Sequence, residues 1–229
     1  MEVSAPALPH VALNFHGLGT PHAGIDASEH SFWLSFDAFE RILDRMDADP
    51  APGRFLITFD DGNHSDLEAA ERLQRRGRKG RYYVLAGRIG EPGYLSSDEL
   101  KSLAAGGAEV GLHGRGHLDW RSTNDRQLAD ETVGAREEIA AATGRPVDEV
   151  AIPFGAYDSR VFAWLQQQGF RHILTSDRGT FDPDAQVWNR NTIMAEMDAA
   201  AIDAILSPGH HPLERITMAA SQVYRRRFR

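Results

Sequence analysis

The 229-residue chain is long enough for one sizeable α/β core and does not require a second domain. Its net charge of −8 argues against a general nucleic-acid binder, and the lack of cysteine removes disulfides, thiolate metal sites and thiol nucleophiles. No stretch approaches the roughly 18 apolar residues of a membrane span, and Met1–His10 has neither a basic start nor a signal-length apolar run. The expected location is the cytoplasm, with a processed secreted form as the alternative.

In chain order, Val11–His16 reads as a strand. Phe36–Met46 reads as a helix, because Phe36, Phe39, Ile42, Leu43 and Met46 form a stripe of helical period. Arg54–Asp60 is a second strand, Ser65–Arg76 a helix with Leu67, Ala70 and Leu73 inward, and Tyr82–Ala86 a third strand. Ser96 and Glu99 have capping-box spacing for a helix that ends at Gly106-Gly107. Ala108–His113 is a strand, Asn124–Thr143 one long helix stopped by Gly144, Glu149–Pro153 a short strand, and Asp158–Gln168 a helix stopped by Gly169. His172–Ser176 and Val187–Ile193 are the last strands; Ala199–Leu206 and Leu213–Tyr224 have helical patterns.

Seven strands alternating with helices imply a single α/β domain with parallel strands and right-handed crossovers. Polar residues sit at the C-terminal ends of several strands: His16, Asp60 and Asp61, His113, and Phe154-Gly155. Such ends converge in a β/α barrel and spread along a crevice in an open sheet, so a closed or nearly closed barrel is expected over 1–206. The tail, 207–229, ends in Arg225-Arg226-Arg227-Phe228-Arg229. It reads as a solvated basic end or as a weak contact for anionic lipid headgroups or an anionic glycan.

Two local patterns carry chemistry. In Thr58-Phe59-Asp60-Asp61-Gly62 an apolar strand runs into adjacent carboxylates, a costly burial unless a cation neutralises them. Alone, this also fits a polar turn capping the next helix. In His113-Gly114-Arg115-Gly116-His117 two imidazoles four residues apart at a strand end can reach one point; alone, they also fit two unrelated loop histidines. Together they make a catalytic metal site, with three protein ligands and positions left open. A divalent ion there lowers the pKa of bound water from about 15.7 to about 7 and polarises a carbonyl. One aspartate suffices as ligand, and the other can take a proton from the attacking water. Adjacent strand residues point to opposite faces, so both serve one site only if the chain bends there, which Gly62 permits.

Thr58–Gly62, the His113–His117 pair and Pro153-Phe154-Gly155 together resemble the polysaccharide deacetylase family, carbohydrate esterase family four, also known as the NodB homology domain, over roughly Val11 to Ile193. The resemblance implies a distorted (β/α)7 barrel and a divalent metal, usually zinc, with cobalt or nickel tolerated. It implies Asp60 as base and Asp61, His113 and His117 as ligands. The turn at Phe154 and Gly155 would offer a backbone N–H to the oxyanion, and Trp120, after the histidine pair, would line the sugar cleft. Asn63, His64 and Asp66 would support the ligands or cap the helix, Asp177 could enter the site, and Trp33, Phe162 and Trp164 fall in core patterns.

Two positions depart from the family pattern. An arginine normally orients the base from three residues before the motif's aromatic, where this chain has Ala151. Arg190, in Trp188-Asn189-Arg190-Asn191, could replace it, or could be a surface residue. The usual late Leu-x-His motif is also missing: His210 and His211 follow Ser207-Pro208-Gly209 outside any clear strand. His16, ending the first strand before Gly17, is the better candidate acid and is similar to the arrangement in permuted biofilm poly-N-acetylglucosamine deacetylases. The expected function is metal-dependent removal of an acetyl group from an N-acetylated saccharide in bacterial exopolysaccharide or cell-surface glycan metabolism. The alternatives are hydrolysis of a small non-sugar amide and an inactive carbohydrate-binding relic.

Overall fold

The structure is a computed structural model that describes residues 8–208. The expected helix over Leu213–Tyr224, the late His210 and His211, and Arg225–Arg229 lie outside the described residues. The elements are β1 (Val11–Phe15), β2 (Gly17–Leu18), β3 (Trp33–Leu34), α1 (Phe36–Asp47), β4 (Phe55–Asp61), α2 (Asp66–Arg75), β5 (Arg81–Val84), α3 (Ser97–Ala105), β6 (Glu109–Leu112), α4 (Asp125–Ala129), α5 (Ala135–Thr143), β7 (Glu149–Ala151), α6 (Ser159–Gln167), β8 (His172–Thr175), β9 (Val187–Thr192) and α7 (Ala199–Leu206). Seven parallel strands close a barrel in the order β1-β4-β5-β6-β7-β8-β9, and β9 pairs back onto β1. β6 and β7 share only the paired position Leu112–Val150, the narrowest seam. β2 and β3 form a separate two-stranded pair beside the barrel, which no apolar run in the sequence announces.

Alternation along the strands sorts residues into two layers. One set packs between barrel and helices: Phe15, Phe39, Phe59 and Tyr82 meet ring to ring with centroids 5.1–5.9 Å apart. This layer buries the apolar stripes of the helices and holds most of the hydrophobic core. The other set fills the barrel itself: Leu56, Tyr83, Ala151, Leu174 and Trp188 at mid-height, with ion pairs above and below. Tyr83 lies over Gly111, where a Cβ would stand 2.5 Å from the ring, so this strand position admits only glycine.

The capping box at Ser96 and Glu99 is present, with both reciprocal bonds formed. The long helix expected over Asn124–Thr143 is interrupted: a π-helical turn, Asp130–Gly134, separates α4 from α5. The wider turn brings Glu131 and Thr132 inward, where both are buried. Among the described residues, no helix is long and apolar enough to cross a membrane.

Candidate metal centre

Asp60 and Asp61 end β4, and the backbone answers how neighbours serve one place. Asp61 itself has φ 78° and Gly62 φ 74°, so the chain turns at the aspartate as well as at the glycine. His117 (φ 55°) and Phe154 (φ 58°) are also left-handed, so three of the four non-glycine residues in that region among those described cluster here. Such backbone is costly and concentrates at functional sites.

Asp60 is buried and bonded on both oxygens. Arg190 grips it with two bonds, Nη1 to Oδ1 at 2.6 Å and Nη2 to Oδ2 at 2.9 Å. The Asn14 side-chain amide adds 2.9 Å to Oδ2. Burial opposes ionisation, but the guanidinium and the neighbouring imidazoles of His113 and His16 outweigh it and hold the carboxyl far below the usual range. Arg190 is completely buried, so it is a core residue and not a surface one. It also donates to Asn14 Oδ1 at 2.8 Å, and Thr58 Oγ1 donates to the same side-chain oxygen at 2.9 Å. Arg190 thus reaches Asp60 from β9, while Ala151 stands on β7. Asn14 carried no signal in the sequence, since it sits inside an apolar strand.

Asp61 is the opposite case. Its Oδ1 is buried without a hydrogen-bond partner. It lies 3.6 Å from His113 Nε2 and 3.8 Å from His117 Nε2. These are too long for hydrogen bonds but close to the ~3.4 Å that ligand distances of roughly 2.0–2.2 Å give at a tetrahedral angle. The ligating atoms of all three residues lie within 4.8 Å of one another. Burial, with the charge of Asp60, pushes the Asp61 carboxyl up to about 6, against a lowering pull from His16. Burial pushes the His113 imidazole down to about 3 and also lowers His117, so both are neutral near pH 7. His113 Nδ1 is 2.9 Å from the Ala151 carbonyl, which fixes the proton there and leaves Nε2 free for a metal. An orphaned carboxylate oxygen facing two neutral imidazoles fits a divalent cation.

His16 is half-buried against Phe32, with ring centroids 4.9 Å apart, and its charge acts on both Asp60 and Asp61, so it belongs to the same end of the barrel. Its Nδ1 is buried without a partner. Phe154 is 61% exposed and its ring stacks on His117 at 4.1 Å. Two expectations are corrected. Gly155 donates its N–H to the Ile152 carbonyl at 3.0 Å, so that group is committed to the turn. The Gly155 backbone (φ 60°) approaches Ser176 so closely that a Cβ would stand 2.8 Å away. Trp120 is completely buried, its indole N–H pointing to Glu131 at 3.3 Å, so it is scaffold and lines no cleft.

Of the neighbours, Asn63 and Asp66 are buried behind the aspartates, and both Asp66 oxygens lack a partner. Burial and the charges of Asp61 and Asp60 push the Asp66 carboxyl well up from its ordinary value. His64 points outward to Glu99 at 3.1 Å. Asp177 accepts the Tyr157 hydroxyl at 2.5 Å. Trp33 and Phe162 are buried in the core, and Trp164 packs partly buried against it. Glu29 and Arg88, which act electrostatically on His117, had no sequence signal. A groove of about 500 Å³ between α1 and α7 holds none of the candidate ligands, so concavity alone would misplace the site.

The fold agrees with three comparisons. The family model for polysaccharide deacetylase matches residues 47–173, more than half of the chain. YxkH of Bacillus subtilis (strain 168), which its name places among the polysaccharide deacetylases, is 21% identical over 189 residues, covering 77% of this chain and 67% of that protein. A polysaccharide deacetylase from Bacillus cereus has a similar fold with a TM-score of 0.72 at 20% identity, over 86% of this chain and 69% of that one. IcaB from Ammonifex degensii gives 0.68 at 21% identity, over 87% and 96%. The chain belongs to the polysaccharide deacetylase family.

Proposed function

We propose that the protein is a metal-dependent deacetylase that hydrolyses the N-acetyl group of a saccharide in bacterial exopolysaccharide or cell-surface glycan metabolism. The observation that carries this reading is the orphaned Asp61 Oδ1 between His113 Nε2 and His117 Nε2, next to an Asp60 locked by Arg190. Asp61, His113 and His117 would hold the ion, most simply Zn2+ given one carboxylate and two imidazoles, with Co2+ or Ni2+ as substitutes. When bound, such an ion supplies Lewis-acid polarisation of the acetyl carbonyl and a more acidic water.

The chain's own groups do the rest. Water oxygen adds to the acetyl carbon, the carbon–nitrogen bond breaks, and acetate and a free amine leave. Asp60 takes the proton from the water, aimed by Arg190 and Asn14. His16, in its protonated form, donates to the departing nitrogen. The Phe154 turn presents its backbone N–H toward the developing oxyanion, and the exposed Phe154 ring offers an apolar face to the sugar. A base without an arginine beside it would favour a small-amide substrate, but Arg190 grips Asp60 from β9. A binding relic has no need of the three mutually placed ligands. Acetate release from chitooligosaccharides compared with small cyclic amides, with and without chelator, tests the reading. Turnover of the cyclic amides alone, or turnover indifferent to chelator, would overturn it.

A further inference from the structure

The two metal-ligating imidazoles hang on a five-residue loop whose path must be set by something. His113 continues β6 and is held by the Val84 carbonyl at 2.9 Å. His117 lies past two glycines, partly exposed, with a left-handed backbone. Its ring has Phe154 on one face, and Phe154 is itself mostly exposed. On one side, the loop's carbonyls are bound by the segment after β5: Ala86 N–H donates to Gly114 at 2.9 Å, and Gly87 N–H to Arg115 at 3.0 Å.

The loop's N–H groups go to one side chain. Glu131, 4% exposed on the π-helical turn, accepts the Arg115 N–H on Oε2 at 3.0 Å and the Gly116 N–H on Oε1 at 2.9 Å. The Trp120 indole adds a third donor on Oε2 at 3.3 Å. A carboxylate gripping two successive backbone N–H groups fixes both the position and the tilt of that peptide segment, and bonds to a charged acceptor are the strong ones. The glycines of the His-Gly-Arg-Gly-His motif acquire a second reason for being glycine. A Cβ on Gly114 would stand 2.8 Å from Glu131 Oε2, and one on Gly116 would stand 3.1 Å from Oε1. Gly114 also needs its φ of 96°, but Gly116 is not among the left-handed glycines, so space for the carboxylate is its only visible constraint. The π-helical turn is what points residue 131 inward, and such turns recur at functional sites.

We propose that Glu131 is a positioning residue for the metal centre: by clamping the Arg115 and Gly116 N–H groups it sets where His117 Nε2 stands relative to His113 and Asp61. The inference rests on the metal reading of that site. Glu131 bonds none of the ligating atoms; it holds the loop, and its charge also acts on His117, so the Co2+ band, which reports ligand geometry, separates clamping from charge alone.

The test uses the full chain, stripped of metal and titrated with Zn2+ by calorimetry, together with the visible absorption of the Co2+-loaded protein. Glu131→Gln keeps size and burial but turns one acceptor oxygen into an NH2 facing an N–H donor. We expect a loss of about 10–100-fold in Zn2+ affinity, the range for groups that orient metal ligands, and a changed Co2+ band from altered ligand geometry. Glu138→Gln is the control: Glu138 holds the Arg115 guanidinium at 2.8 Å on the exposed side of the same loop, and its removal should leave both readouts unchanged. Where Glu131→Gln does not fold, Gly116→Ala decides, since it presses on Oε1 at an exposed position and should shift both readouts in the same direction by less. Native Zn2+ affinity and Co2+ spectrum in folded Glu131→Gln, or in Gly116→Ala where that decides, would overturn this inference alone. No Zn2+ binding by the unaltered chain would overturn the metal reading and this inference with it.

Discussion

Both ends of the barrel bury a carboxylate against arginine, and they differ in what is left over. At the N-terminal end, Glu149 is fully buried and receives Arg81, Arg171 at 3.1 Å and the Tyr83 hydroxyl at 2.9 Å, so both its oxygens are bonded. At the C-terminal end, Asp60 is likewise bonded on both oxygens, but Asp61 beside it keeps an oxygen without a partner, and two neutral imidazoles face that oxygen. A buried charge that is fully paired is a structural feature, tolerated because its bonds are made. A buried donor set that is complete only when a cation is added is a site. The contrast also separates jobs within the Asp-Asp pair: the residue with partners is aimed, and the residue without them is available to bind.

The comparison can be broken most severely at the ligands. His113→Ala should lose Zn2+ affinity by more than about 100-fold, beyond the effect of changing groups around the ligands, and turnover with it; full metal content by elemental analysis would remove the central claim. Asp60→Asn should retain the metal, because Asp61 remains, while turnover falls by roughly 100- to 10,000-fold, since an amide cannot accept the proton. Metal loss in Asp60→Asn alongside normal metal in Asp61→Asn would show the two roles exchanged. His16→Ala should lower turnover by roughly 100-fold with metal retained, whereas His210→Ala and His211→Ala should change little; the reverse outcome would move the acid to the tail.

A smaller effect follows from pH. In the metal-free protein Asp61 takes up its proton at about 6, so below that pH a proton competes with the ion, while His113 competes only near 3. Zn2+ affinity should therefore fall by about tenfold per pH unit below 6 and level off above it. An affinity that is flat from pH 5 to 7 would contradict the raised Asp61. The smallest functional effect belongs to the other end: Glu149→Gln should cost about 1–3 kcal/mol in stability by unbalancing a buried polar group, measured by denaturant unfolding. Zn2+ affinity and turnover should stay native, and a loss of metal there would erase the distinction between the two ends.

Much of this protein was legible one segment at a time. Strands and helices followed from apolar period, because each buries one stripe or both faces, and the positions of Asp60-Asp61-Gly62 and His113–His117 at strand ends were local facts. The possible ligand set was legible in kind, as two imidazoles and a carboxylate. What the chain order could not show is which distant groups complete them. Arg190 reaches Asp60 across 130 positions, and Asn14 reaches it across 46, because β1 lies between β4 and β9 when the barrel closes. Glu131 looked like one more acid on a polar-faced helix until the π-helical turn carried it inward. Trp120 read as a cleft aromatic and proved to be core, since aromatic identity carries no direction. Local pattern determines what each segment can form and which groups it offers; closure of the barrel decides which of those groups meet, because strand register and side-chain direction are set by non-local pairing.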